Sequence, residues 1–179
     1  MRLEDLRRRN VYFVGPGGSG KSNQARGLAA ILDDREIYEM DNRIEEYEQR
    51  RIPDIFELFG EPYFRERETE VLRESARGRW IVSTGGGIVC REENRVIMRA
   101  SGFIIYLNVP FEVTFARAMK QQAEDGVIRP LMQVRGNAER TYKERLPLYL
   151  DVADLVIEVD GKLSKAEVTG RVLETIESL

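Results

Sequence analysis

Histidine is absent from this 179-residue chain, and a single cysteine, Cys90, is present. Without histidine the chain cannot use a Ser–His or Cys–His nucleophile, a histidine general base or a histidine-bound zinc ion. One cysteine also excludes an intrachain disulfide and a metal site built from several cysteines. We expect Cys90 to be a small apolar filler rather than a reactive thiol.

Long hydrophobic runs are also missing. No segment approaches the roughly 18 apolar residues that cross a bilayer, and no apolar core follows the basic N-terminus as it does in a secretion signal. The formal net charge of −3 argues against a nucleic-acid-binding face, which would be basic. We therefore expect a cytosolic protein with no membrane or nucleic-acid partner. We also expect one domain over residues 1–179, acting as a monomer.

Short apolar runs alternate with longer amphipathic stretches, the pattern of an α/β fold with a parallel sheet flanked by helices. The runs predict strands over 10–15, 36–40, 80–84, 103–108 and 155–159. The amphipathic stretches predict helices over 20–32, 42–51, 61–77, 92–100, 110–120, 137–150 and 164–178. Ser164 and Glu167 have the spacing of a capping box for the last helix. The polar, aperiodic stretch 121–130 predicts a loop able to close over a site.

One segment between the first predicted strand and helix has phosphate-binding spacing. It reads Gly15-Pro16-Gly17-Gly18-Ser19-Gly20-Lys21-Ser22, and this order of glycines, lysine and serine is that of a phosphate loop. Backbone N–H groups and the helix N-terminus in such a loop bind phosphate oxygens. The lysine reaches the outer phosphates, and the serine hydroxyl can ligate Mg²⁺. We predict a nucleotide site that includes Gly18, Ser19, Gly20, Lys21, Ser22 and Asn23.

Two other segments are expected beside this loop. Asp41 follows the second predicted strand, and Gly85-Gly86-Gly87 follows the third. Because ligands in open parallel sheets bind beyond the carboxyl ends of the strands, these residues should meet at one edge. The convergence predicts a second substrate next to the nucleotide.

Motifs that are absent from the chain exclude two classes of nucleotide-binding protein. The Asp-x-x-Gly turn and the Asn/Thr-Lys-x-Asp guanine reader of switch GTPases do not occur. The acidic strand end and catalytic glutamate of a motor or transport ATPase are also missing. A small kinase remains, which needs Lys, Mg²⁺ and Arg near the phosphates and a carboxylate near the acceptor hydroxyl.

Five further segments, spread in order over nearly the whole chain, resemble motifs of the shikimate kinase family. They are 39–45, the Ile-Phe…Gly-Glu…Phe-Arg…Glu block at 54–68, Thr84-Gly85-Gly86-Gly87 with the strand before it, Arg129-Pro130-Leu131, and Arg145-Leu146-Pro147-Leu148-Tyr149. The resemblance implies a three-layer phosphate-loop fold like that of nucleoside-monophosphate kinases, with five parallel strands in the order 2-3-1-4-5. It also implies an acceptor-binding region over about 42–77 and a mobile lid over about 119–136.

The activity implied by this resemblance is ATP-dependent phosphorylation of the 3-hydroxyl of shikimate, a step of chorismate and aromatic amino-acid biosynthesis. Asp41 would orient that hydroxyl or accept its proton. Arg65 and Arg145 would bind the carboxylate of shikimate, because guanidinium groups pair with carboxylates strongly and directionally. Gly86 and Gly87 would bring backbone N–H groups close to its oxygens.

The resemblance implies three more residues that bind the nucleotide. Arg129, in the lid, would act with Lys21 to stabilise the transferring phosphoryl group and exclude water. Arg117 would pack on the adenine ring, and Lys162 would supply another adenine-side contact. Lys21, Asp41 and Arg129 are the expected catalytic residues.

The chain departs from the family pattern at three places, and two alternatives stay open, of which the second depends on Glu39 and the longer lid. Glu39 replaces the first Asp of an Asp-x-Asp pair that helps to hold Mg²⁺ through water, and Asn23 replaces a Thr. The lid segment, with Glu124 and Asp125, is longer by about five residues. One alternative is a related kinase for another anionic polyol, such as gluconate. The other is a non-catalytic, nucleotide-responsive binding module.

Overall fold

Five parallel strands form the central sheet in a computed structural model, which describes residues 3–126 and 133–179. The strands are β1 (Asn10–Val14), β2 (Ile37–Glu39), β3 (Ile81–Ser83), β4 (Gly102–Asn108) and β5 (Leu155–Glu158). Their order is β2-β3-β1-β4-β5, which confirms the expected order. Because β1 is central, the segment that follows it begins in the middle of the sheet edge.

Helices cover both faces of this sheet. Within the described residues they are α1 (Leu3–Leu6), α2 (Lys21–Leu32), α3 (Met40–Glu48), α4 (Ile52–Ser75), α5 (Glu92–Ser101), α6 (Phe111–Asp125), α7 (Arg135–Val152) and α8 (Lys165–Glu177), with a 3-10 turn at Ile88–Cys90. Alternate β1 side chains enter different cores, as the pleat of a strand requires. Val11 and Phe13 pack with α2 and α8, and Tyr12 and Val14 pack with α4 and α7. The result is the expected three-layer arrangement.

The acceptor side of the sheet contains a helical segment that we did not predict. α4 begins at Ile52, and Gly60 (φ 79°, ψ 170°) divides it into two segments, of which only the second was expected. The start of the first segment is stabilised from outside, because Glu45 accepts hydrogen bonds from the Ile52 backbone N–H and from Arg51 Nε. That contact joins two helices, so the local pattern of residues 52–59 does not reveal it.

Three local expectations were wrong. Met40 lies in α3 and not in a strand, so Asp41 belongs to the first turn of a helix. Residues 121–125 extend α6 rather than forming a loop. Gln, Ala and Glu favour helix, Lys120 and Glu124 approach within 3.8 Å, and Gly126 (φ 68°) ends the helix. Cys90 is exposed, so it does not fill the core.

In the part of the chain that the structure describes, no helix combines the length and the apolar character needed to span a bilayer.

Candidate active site

The phosphate loop connects the central strand to α2. Gly18 and Gly20 adopt positive φ angles of 79° and 95°, which glycine tolerates better than other residues. A Cβ atom on Gly18 would also lie 2.5 Å from the Thr114 carbonyl oxygen. Since α2 begins at Lys21, its N-terminal N–H groups lie next to the loop, where they favour an anion.

Lys21 is buried against this loop. Its Nζ donates hydrogen bonds to the carbonyl oxygens of Gly15 and Pro16, each at 2.9 Å. Burial lowers the pKa of Lys21 to about 8, although the nearby carboxylates of Asp41 and Glu39 act in the opposite direction. The ammonium group is therefore held where polyphosphate oxygens would meet it, and its protonation is sensitive to pH just above neutrality.

Ser22 and Glu39 form a pair of oxygen donors beside the loop. Ser22 Oγ donates to Glu39 Oε2 at 3.0 Å and also lies 3.0 Å from Ser83 Oγ. Arg26 Nη2 donates to the other oxygen of Glu39 at 3.2 Å and partly balances its charge. Mg²⁺ prefers oxygen ligands and keeps several waters, so a hydroxyl and a carboxylate fit its requirements.

A cavity of about 780 Å³ extends from the phosphate loop along α2 towards α8. Its size is within the range of small-molecule sites. Asn23 and Arg117 both line it, as the sequence predicted for nucleotide-binding residues. The structure does not place Lys162 on this wall: Lys162 is exposed, and the neighbouring residues that line the cavity are Leu163, Ser164 and Lys165.

A second cavity, of about 410 Å³, adjoins the first. Its walls come from the phosphate loop, α3, α4, the triple-glycine turn, α6 and α7. They bring together the five residues predicted for the acceptor: Asp41, Arg65, Gly86, Gly87 and Arg145. Gly17, Asp41 and Gly86 line both cavities, so the two spaces meet at these residues.

Asp41 lies at this junction, in the first turn of α3. Asp41 is exposed, and it lines both cavities. The protein atoms around its carboxyl group hinder solvation and so raise the pKa of Asp41, while the positive charge of Lys21 opposes the rise. A carboxylate with a raised pKa is a better proton acceptor than an ordinary aspartate.

Arg65 is 8% exposed and is held by two carboxylates of its own helix. Its Nη1 donates to Glu68 at 2.7 Å, and its Nε and Nη2 donate to one oxygen of Glu61. Glu68 is completely buried, and its Oε1 has no hydrogen-bond partner among the described residues. Burial raises the pKa of Glu68, and the charge of Arg65 opposes that rise.

The triple-glycine turn lets these charged groups pack closely. A Cβ atom on Gly87 would lie 2.3 Å from the guanidinium of Arg65. A Cβ atom on Gly85 would lie 2.5 Å from Glu68 Oε1 and 3.2 Å from Asp41 Oδ1. Gly86 packs against the phosphate loop, since its Cβ atom would be 3.1 Å from the Gly17 backbone nitrogen. At Gly85 and Gly87 the absence of a side chain leaves room for the acidic and basic groups.

α7 contributes the last wall. Arg145 Nη1 donates to the Gly86 carbonyl oxygen at 3.2 Å, and the Tyr149 hydroxyl donates to the same oxygen. Tyr149 and Glu68 had no role predicted from the sequence. Glu68 carried a usable signal, since an acid three residues after an arginine on a helix faces it. Arg129 lies outside the described residues.

Two adjoining cavities that share a carboxylate suit the transfer of a phosphoryl group between two bound molecules, because the reacting groups are held near one another. The arginines of the smaller cavity would suit an anionic acceptor. The fold and site therefore define a phosphate-loop kinase of a small anionic molecule.

Comparison with known proteins identifies the family. The family model described as "Shikimate kinase" matches residues 17–177. A shikimate kinase of Marinomonas sp. (strain MWYL1) is 38% identical over 174 residues, which cover 94% of this chain and 92% of that protein. A shikimate kinase of Burkholderia lata is also 38% identical, over 172 residues that cover 94% of this chain and 90% of that protein. The chain belongs to the shikimate kinase family.

Solved structures agree with this assignment. A shikimate kinase from Acinetobacter baumannii, in complex with shikimate, has a TM-score of 0.88 at 34% identity and covers 98% of this chain and 97% of its own. The shikimate kinase of Aquifex aeolicus has a TM-score of 0.76 at 31% identity. The match covers 94% of this chain and 96% of that chain. The expected family and its activity, ATP-dependent phosphorylation of shikimate, are confirmed. The relatives and solved structures named above are shikimate kinases and not gluconate-type kinases.

Proposed function

We propose that this protein transfers the terminal phosphoryl group of ATP to the 3-hydroxyl of shikimate, as a single kinase domain over residues 1–179. The observation that supports this most directly is the position of Asp41, whose carboxyl group lines both the nucleotide cavity and the arginine-containing cavity. A hydroxyl in the smaller cavity can therefore contact the carboxylate and face the nucleotide phosphates at the same time.

On the nucleotide side, the loop N–H groups and Lys21 bind the phosphates, and Arg117 covers the adenine ring. Ser22 and Glu39 are the residues that would hold Mg²⁺, since their oxygens already face each other at 3.0 Å. The bound ion would neutralise charge on the phosphate oxygens. Glu39 is longer than the Asp of the family pattern, and Arg26 holds it towards Ser22 from the outer side.

On the acceptor side, Arg65 and Arg145 bind the carboxylate of shikimate. In the structure Arg65 donates to Glu61 and Glu68, and Arg145 donates to a backbone carbonyl. Glu61 is 43% exposed, so it can turn to solvent and release two N–H groups of Arg65. Glu68 is buried and stays, which keeps the guanidinium plane in place while the substrate binds.

The chemical step then depends mainly on the alignment of the 3-hydroxyl oxygen with the terminal phosphorus. The 3-hydroxyl oxygen forms a bond to the terminal phosphorus, the bond to the ADP oxygen breaks, and the hydroxyl proton passes to Asp41. Lys21 stabilises the charge on the transferring group. We expect Arg129 to do the same from a lid over residues 119–136, above an acceptor-binding region over about 42–77. The cytosolic location and the monomeric state stay predictions from the sequence.

The test is Asp41→Asn, which keeps the shape of the side chain and removes the proton acceptor. Turnover measured by ADP release should fall about 100-fold or more, while ADP binding measured by calorimetry should change little. The matched control is Asp54→Asn, since Asp54 is an exposed helix-start carboxylate that lines neither cavity. Near-normal turnover in Asp41→Asn would remove Asp41 from the mechanism.

A substrate panel tests the reaction itself. Wild-type protein with ATP and Mg²⁺ should release ADP in the presence of shikimate and not in the presence of gluconate. ATP binding without transfer to either acceptor would contradict the proposal and favour the non-catalytic binding module.

A further inference from the structure

Tyr149 is a buried phenol in the wall of the smaller cavity. Its side chain is 1% exposed, and its hydroxyl donates a hydrogen bond to the Gly86 carbonyl oxygen. Its ring stacks on Tyr106 of β4, with centroids 5.1 Å apart and planes inclined by 16°. Because the ring is fixed by stacking, the hydroxyl has one well-defined direction.

The oxygen that it contacts is shared with Arg145, whose Nη1 donates at 3.2 Å. A carbonyl oxygen accepts two hydrogen bonds, so Tyr149 and Arg145 together satisfy it. The proposed function requires Arg145 to turn towards a substrate carboxylate. If Arg145 were the only donor, this turn would leave a half-buried carbonyl without a partner, which disfavours binding.

The hydrogen bond from Tyr149 to the Gly86 carbonyl also orients the backbone N–H of Gly87. The Gly86 C=O and the Gly87 N–H belong to one planar trans peptide and point in opposite directions. A donor that holds the carbonyl towards α7 therefore holds the Gly87 N–H away from α7. The Gly87 backbone is already confined by the Arg65 guanidinium, which lies 2.3 Å from the position of a Cβ atom.

We propose that Tyr149 is a positioning residue for the acceptor: its hydroxyl keeps the Gly86 carbonyl satisfied and oriented, and so allows Arg145 to leave it for the substrate carboxylate. This inference rests on the proposed role of Arg145 in shikimate binding. Burial raises the pKa of Tyr149, so the phenol stays protonated and acts as a donor throughout the physiological range.

The experiment compares Tyr149→Phe with Tyr106→Phe. Both variants keep the stacked rings and remove one phenol hydroxyl. Tyr106 donates to Asn108 Oδ1 at 2.9 Å and lines neither cavity, so it is the matched control. In Tyr149→Phe the dissociation constant for shikimate, measured by calorimetry, should rise about tenfold. The affinity for ADP and the melting temperature should equal those of Tyr106→Phe.

Several outcomes would overturn the inference. Equal shikimate affinity in the two variants would remove Tyr149 from acceptor binding. A Tyr149→Phe protein that does not fold, melts well below the control, or loses ADP affinity in proportion would assign the hydroxyl a purely structural role. A double-mutant cycle with Arg145→Lys should show non-additive losses of shikimate affinity, and additive losses would contradict the coupling. Failure of the proposed function is distinguishable, because wild-type protein would then release no ADP with shikimate.

Discussion

The two cavities of this protein differ in how the chain builds them. The polyphosphate end of the nucleotide cavity comes from one contiguous segment, residues 15–22, at the end of the central strand. The acceptor cavity takes its polar groups from α3, α4, the triple-glycine turn, α6 and α7. The phosphate loop is therefore recognisable from local sequence, whereas the acceptor cavity exists only when the helices are packed on the sheet.

The charged residues of the two cavities also differ in their hydrogen-bond partners. Lys21 makes its described hydrogen bonds within its own loop, to the carbonyls of Gly15 and Pro16 and, at 3.5 Å, to Ser19. Arg65 is paired with the fully buried Glu68, and within the described residues Arg65 is the hydrogen-bond partner of that carboxylate. Removing one member of a buried pair leaves the other uncompensated, and this destabilises a fold. Loss of Lys21 should thus lower activity with little effect on stability, whereas loss of Arg65 should lower both shikimate affinity and stability.

The largest expected effect is on the nucleotide side. Lys21→Met should lower turnover about 1,000-fold, because a charged donor at the transferring phosphoryl group is lost. The melting temperature should stay near that of the wild type, since the lysine bonds only to its own loop. Steady-state kinetics and thermal melting measure the two quantities. A large fall in melting temperature would contradict the separation between the two sides.

A second prediction concerns the packing of the glycine turn. Gly87→Ala should push the Arg65 guanidinium from its position and raise the KM for shikimate about 30-fold, with little change in the KM for ATP. Gly136→Ala is the control, because Gly136 is in α7 and a Cβ atom there has no neighbour within 4 Å. Parallel increases in both KM values would show that the turn serves both cavities equally.

The effect of pH on nucleotide affinity should be smaller than the effect of Gly87→Ala on the KM for shikimate. With the pKa of Lys21 at about 8, part of the ligand-free protein carries neutral lysine above that pH. Bound phosphates favour the charged form, so nucleotide binding takes up a proton, and affinity falls as pH rises. Between pH 6.5 and 8.5 the loss should be about fourfold. Calorimetry in buffers of different ionisation enthalpy detects the uptake, which should disappear in Lys21→Met.

The smallest expected effect is at the adenine end. Arg117→Ala should weaken ATP binding about threefold, the usual size of an exposed cation–π contact. Lys162→Ala should have the smaller effect of the two, because Arg117 lines the cavity and Lys162 does not. Fluorescence titration with a nucleotide analogue compares them. The reverse order would mean that the adenine lies outside the cavity described here.

The amino-acid sequence alone determined the local features of this protein. The phosphate loop and the capping box of α8 are examples: Ser164 Oγ accepts from the Glu167 N–H at 3.2 Å, and Glu167 accepts from the Ser164 N–H at 2.8 Å. Such features depend on residues a few positions apart, so their spacing is enough to predict them. The alternation of strands and helices was predictable for the same reason, although the loop expected at 121–125 is helical.

The contacts that hold the residues of the acceptor cavity in place followed instead from tertiary packing. Glu45 caps the unpredicted start of α4, Glu68 pairs with Arg65 under the glycine turn, and Tyr149 reaches Gly86 from a helix more than sixty positions later. Tyr149 and Gly86 are distant in the chain, and Glu45 and Ile52 belong to different helices. Arg65 and Glu68 are neighbours on one helix, but the glycine turn packed against them comes from a different part of the chain. Their partners are chosen by packing against the sheet, and the energy of a buried charge or hydrogen bond depends on that whole environment rather than on the neighbouring residues.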